Sequence, residues 1–160
     1  ETVSPLRKHD CCPISDGAAA MIICTVEKAK AMGKPYAVIK GIDHRIETHH
    51  VTLRDLSRSP SVEIAAEKAG VHDAPVDVAE IYAPFSHQEI IVKRALGLDD
   101  SVAINPSGGV LAGHLFMASG LSRVGEVAKR IIAGEYKRGV AHATSGPCLQ
   151  QNMITVLEGM

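Results

Sequence analysis

The chain has 160 residues, enough to bury one hydrophobic core. Hydrophobic residues make up 46% and charged residues 22%, a composition that excludes an intrinsically disordered segment. Lys plus Arg (17) nearly balances Asp plus Glu (18), which leaves no basic footprint for nucleic acid.

In chain order, "AAAMIIC" (18–24) reads as a short buried strand. "TVEKAKAMG" follows as a helix with Thr25 as N-cap and Gly33 as C-cap. "PYAVIKGI" (35–42) reads as a second strand, and the polar stretch 43–59 as a surface excursion with no motif in it. Ser59-Pro60 starts the next helix, since proline fits the first turn, with Val62, Ala65, Ala66 and Ala69 on one face and Gly70 at its end. "VDVAEIY" (76–82) is a strand. A helix over 85–97 follows, with Ser86 and Glu89 spaced as a capping box. "SVAIN" runs as a strand into "NPSGGVLAGHLFMASG". The next helix, about 119–133, carries Leu121, Val124, Val127, Ala128, Ile131 and Ile132 at helical spacing. "GVAHAT" and "NMITVLE" close the chain as two strands. Alternation of this kind predicts an α/β fold with a mostly parallel sheet packed by helices and an antiparallel last pair.

Aromatic residues are only 3%, with no Trp, so the core must be built from small aliphatic side chains. The cysteines (11, 12, 24 and 148) form neither a CxxC pair nor a disulfide framework, which predicts a reducing, cytoplasmic setting. No apolar run reaches the roughly 18 residues of a membrane span. The first residues, "ETVSPLRKHDCC", have no signal-peptide character and no initiating Met, as expected of a processed chain, a domain or a fragment.

In such layered folds, functional residues gather where strands end and helices begin. Three junctions carry polar residues: Tyr82 to Phe85, Asn105 to His114, and His142 to Cys148. A single site could therefore collect Tyr82, His114 and His142. His114 follows Gly113 ahead of a helix, where it is equally a general base or a local cap. Tyr82 could donate to a carbonyl oxygen, although a strand-end tyrosine is usually structural. His142 sits in an apolar strand, the usual place for a satisfied core histidine. Cys148 has no base beside it and reads as a small buried residue. His44, His49 and His50 lack a supporting Asp or Cys pattern and read as a solvated loop, so no metal site is predicted. The glycine loop matches neither GxGxxG nor a P-loop.

Taken in order, "SDGAAAMIIC", "EIYAPF", "NPSGGVLAGHLFMASG" and "SGPCLQQNMITVLEG" resemble the C-terminal half of a thiolase, in the branch related to the sterol-carrier-protein thiolases. The resemblance runs from about residue 10 to 158 and implies the C-terminal half of the thiolase fold: a mixed, five-stranded-type sheet packed by helices. It implies acyl-CoA chemistry, in which a Claisen step makes or breaks a carbon–carbon bond and coenzyme A enters as substrate or product, with no permanently bound cofactor. His114 matches the histidine of the GH motif, which activates a cysteine on the other half. Leu115 stands where most thiolases have proline. Tyr82 takes the place of the asparagine or histidine that starts the family's NEAF or HDCF segment, a change similar to that in thiolase-like retro-aldolases. His142 matches the histidine of the sterol-carrier branch's terminal motif. Phe85, Gly109 and Gly146 are expected to shape the substrate pocket.

The family's nucleophile motif is missing, so residues 1–160 are expected to form a C-terminal domain that needs an N-terminal thiolase half, from the same precursor or as a separate subunit. An OB-fold zinc-ribbon protein is a further expected partner. The alternatives are a thiolase-fold retro-aldolase acting on a CoA ester, which Tyr82 favours, and a non-catalytic half that binds a CoA ester or a partner.

Overall fold

The computed structural model describes residues 3–160. Five strands form one sheet in the order β1-β5-β4-β2-β3. In chain order these are β1 (Val38–Ile46), β2 (Val78–Ile81), β3 (Ala103–Ile104), β4 (Arg138–Ser145) and β5 (Gln151–Glu158). β2 runs parallel to β3 and to β4, while β5 lies antiparallel between β4 and β1. The sheet is therefore mixed, with half of its ladders parallel, and the last two strands pair antiparallel as expected. The chain contains α1 (Val26–Ala31), α2 (Pro60–Lys68), α3 (Ser86–Ala95), α4 (Gly109–Ala112) and α5 (Ala118–Ile132).

The period of two along a strand splits the core into two layers. On one face, Val62, Ala65 and Ala66 of α2 and Val92 of α3 pack with Ala79, Ile81, Val140, Ile154 and Val156. On the other, Val124, Val127 and Ile131 of α5 pack with Val78, Ala141 and Leu157. Small residues allow close layers: a Cβ on Gly120 of α5 would lie 2.9 Å from that of Ala143 on β4. Among the described residues no helix is long and apolar enough to cross a membrane.

Several expectations need correction. The run 18–24 joins no strand, and Ile22 (90% exposed) and Ile23 (72% exposed) face outward. Apolar content alone suggested burial, but nothing among the described residues covers these side chains. β1 continues into the polar stretch as far as Ile46, because this edge strand pairs with β5 over its whole length. Its side chains alternate, so that Asp43 and Arg45 share a face and pair at 2.6 Å. Helix α3 has no capping box: Phe85 is the N-cap, Ser86 donates to Asp10 at 2.9 Å, and the Glu89 carboxylate is taken by Asn105. Thr25 does cap α1, accepting from the backbone of Lys28.

Candidate active site

β2 ends at Ile81, and the alternation of its side chains sends Tyr82 to the same face as Val78 and Glu80. The glycine loop leaves the neighbouring strand β3 and is fastened back onto β2. Asn105, in a left-handed conformation (φ 47°), accepts from the backbone N–H of Ile81 at 2.6 Å. Ser107 donates to the buried Glu80 carboxylate through its N–H (3.0 Å) and its hydroxyl (2.7 Å). Arg123 from α5 completes this anchor with an ion pair to Glu80 at 2.7 Å. Gly109 has φ 62° and lies against Asn105; a Cβ there would sit 3.0 Å from the Asn105 side chain. This packing lets α4 make a single turn that delivers His114 to the end of β2.

His114 is held on both sides of its peptide, since its N–H donates to Pro13 and its carbonyl accepts from Ser15. Its Nε2 lies 2.6 Å from the Tyr82 hydroxyl. Burial pushes the His114 pKa below the usual histidine value. Burial also pushes the Tyr82 phenol up, with Cys12 adding to the rise and a hydrogen bond from Ser119 opposing it. Both shifts favour neutral partners at neutral pH; with the imidazole in its Nδ1–H tautomer the phenol donates and Nε2 accepts. The Cys12 thiol is itself pushed up by burial, which keeps it protonated.

The pair opens onto a cleft of about 610 Å³. Phe85, Phe116, Leu121, Ala143 and the 145–149 loop line its walls. A concave, mostly apolar cleft with a few convergent polar groups is the usual form of a small-molecule site. Among the described residues no group of three or more His, Cys, Asp or Glu could hold a metal ion.

The sequence model of the thiolase C-terminal domain matches residues 34–156. The chain belongs to the thiolase family. Among curated relatives of this thiolase-family chain, an acetyl-CoA acetyltransferase of Methanocaldococcus jannaschii is 33% identical over 150 residues, covering 77% of the chain and 38% of the relative. The benzoylsuccinyl-CoA thiolase subunit BbsB of Thauera aromatica is 26% identical, covering 93% and 47%. The chain thus spans less than half the length of these two relatives. The crystal structure of the Bacillus anthracis acetyl-CoA acetyltransferase superposes with a TM-score of 0.75 at 22% identity, over 94% of the chain and 38% of that structure, and so shares the fold.

In this thiolase domain the cleft brings together Tyr82, His114, Phe85 and Gly146. It does not include His142 or Gly109. His142 lies on β4 beside Ala143, and the alternation along the strand turns it to the opposite face. There it is fully buried, and its Nε2 donates to the Asn152 side chain at 2.9 Å. It cannot reach a substrate in the cleft from that position. Gly109 is buried under Asn105 and acts on loop shape.

Sequence reasoning missed Asn105 and Ser107 as anchors, although both lie within the motif, and it misjudged Cys148. That thiol is exposed on the cleft wall, on a residue with φ 54°. A left-handed cysteine has no local sequence signal. His49 and His50 are exposed and their rings meet at a tilt of 39°, with centroids 3.9 Å apart.

Proposed function

We propose that the chain is the C-terminal domain or subunit of a thiolase-type acyltransferase that makes or breaks a carbon–carbon bond in an acyl-CoA. The contact of Tyr82 with His114 at the mouth of the cleft carries this reading. Neutral His114 is in the form that takes a proton from a nucleophilic thiol supplied by an N-terminal half. In the resting arrangement the Tyr82 O–H occupies Nε2. Rotation about the phenolic C–O bond turns that hydrogen toward a thioester or enolate oxygen and frees Nε2 to accept the proton. Phe85 and Gly146 shape the wall against the acyl group. Coenzyme A is substrate or product in this reading, and no resident cofactor is called for.

An N-terminal half supplies the cover for residues 14–23, where Ile14, Ile22 and Ile23 are exposed. The subunit name of the Thauera aromatica relative supports an assembly of more than one chain. An OB-fold zinc-ribbon protein as a second partner rests on the family resemblance alone, and a cytoplasmic setting on the cysteine pattern. The relatives described above are named as an acetyltransferase and a thiolase, which favours acyl transfer over retro-aldol cleavage.

The test is thiolysis of acetoacetyl-CoA by the complete assembly. His114→Ala should lower kcat/KM by about 10²–10⁴-fold, the range expected for loss of a general base. Turnover near that of the parent would end the proposal.

A further inference from the structure

The segment 47–59 joins β1 to α2, which packs on the sheet face opposite Tyr82 and His114, yet one of its side chains grips the cleft wall from behind. Arg54 is only 4% exposed at its side chain. Its Nη1 donates to the carbonyl of Pro147 at 3.1 Å, and its Nη2 to the carbonyls of Cys148 (2.6 Å) and Leu149 (3.2 Å). Its Nε donates to Glu47 at 2.9 Å.

Glu47 is fixed in turn. Its other oxygen accepts from the N–H of Ser61 at 3.2 Å, from the Ser61 hydroxyl at 2.5 Å and from Ser59 at 3.4 Å. Burial opposes ionisation of Glu47, but the bonds from Ser61 and Arg54 outweigh it and hold the pKa below the usual carboxylate range. Asn152 adds a further bond to the Leu149 carbonyl at 2.8 Å.

The gripped loop has an unusual backbone. Gly146 (φ 74°), Cys148 (φ 54°) and Leu149 (φ 57°) are all left-handed, a region unfavourable for the two residues that carry side chains. In an extended chain, successive carbonyls point to opposite sides. The left-handed turn aims three in a row at one guanidinium, whose planar fork of donors suits such a cluster better than an ammonium does. The same turn puts residues 146–149 on the wall of the cleft, with Cys148 exposed there.

We propose that Arg54 is a positioning residue: it holds the 146–149 wall in its left-handed form and thereby sets the shape of the cleft against the ligand. The identity of that ligand as an acyl-CoA rests on the function proposed above; the grip on the wall does not.

Hydrogen exchange of the complete protein, read by mass spectrometry, tests the grip without any ligand. Arg54→Gln should speed exchange in the peptide spanning 146–150 by about tenfold, as expected for a locally opened segment, and leave β4 and β5 unchanged. Arg54→Lys keeps the charge beside Glu47 but lacks the fork, and should give a smaller rise. It also serves if the glutamine variant fails to fold.

With acetoacetyl-CoA, the Arg54→Gln assembly should show a KM raised by about tenfold and a kcat within about twofold of the parent, the pattern of lost uniform binding. Unchanged loop exchange in the variants would overturn the proposal. So would an equal rise in β4 and β5, which would make Arg54 a general support of the fold. A parent assembly inert toward acetoacetyl-CoA would defeat the acyl-transfer reading and leave loop exchange to decide the role of Arg54.

Discussion

The Tyr82 hydroxyl meets His114 Nε2 at 2.6 Å across 32 residues of sequence. Two parallel strands end side by side, and the glycine loop folds back between them. The contact gives each group a partner that its own burial makes necessary, since an unmatched buried donor or acceptor is expensive.

Tyr82→Phe keeps the ring in place and removes only the hydroxyl. In the complete assembly, kcat for acetoacetyl-CoA thiolysis should fall by about 10²–10³-fold, as expected for loss of one donor to a developing oxyanion. KM should change little. A fall in kcat of less than threefold would limit Tyr82 to packing.

The acid side of the pH–rate profile should report His114. Burial lowers its pKa, so the neutral base persists to a lower pH than for a free histidine near about 6.5. The acid limb of kcat/KM should therefore lie below that value. A limb above it would mean that another group, or a charged His114, controls the reaction.

His142 predicts a separate pH effect on stability. Burial pulls its pKa down to about 4, against the 6.5 of an unperturbed histidine, and the Asn152 bond opposes the shift. Above pH 6.5 the ring is neutral in both folded and unfolded chains. Between 6.5 and 4 only the unfolded chain takes up the proton, so stability is lost as pH falls through that window, by about 3 kcal/mol in all. Comparing thermal midpoints at pH 7 and pH 5 for the parent and His142→Gln isolates this contribution. The glutamine variant should lose less on acidification; an equal loss would remove His142 as the source.

The ion pair of Arg123 with Glu80 is buried on both sides, with side chains 7% and 0% exposed. Arg123→Met should destabilise the protein by about 3–5 kcal/mol, because it strands the Glu80 carboxylate in the core. The glycine loop should loosen as well, since Arg123 also donates to Ser107 at 2.8 Å. Denaturant unfolding measures the first effect. A loss below about 1 kcal/mol would show that Ser107 alone can hold the carboxylate.

Much of this was legible in the sequence because periodicity reports burial. Val124, Val127, Ala128 and Ile131 of α5 and the Val62, Ala65, Ala66, Ala69 face of α2 lie where their spacing puts them, while Leu121 and Ile132 of the expected α5 stripe stay exposed. His114 was legible through the glycines around it. Other features depend on contacts that no local pattern encodes. Apolar residues 18–24 looked buried, yet burial needs a surface to pack against. His142 and Ala143 are neighbours in sequence, and only the register of β4 decides which of them faces the cleft. Arg54 sits in a stretch without periodicity, and the carbonyls it grips lie more than 90 residues away.

The place of β5 in the sheet has a consequence for biosynthesis. The last strand in chain order lies between β1 and β4 and pairs with both along their length. Until a ribosome has released residues 151–158, β1 has no neighbour, and α2 has only part of the surface it packs against. The helices and the β2–β4 pair can form earlier in synthesis, but the sheet cannot close until β5 has emerged. A nascent chain stalled before Gln151 would therefore present an open edge on β4 and another on β1 to any other strand nearby.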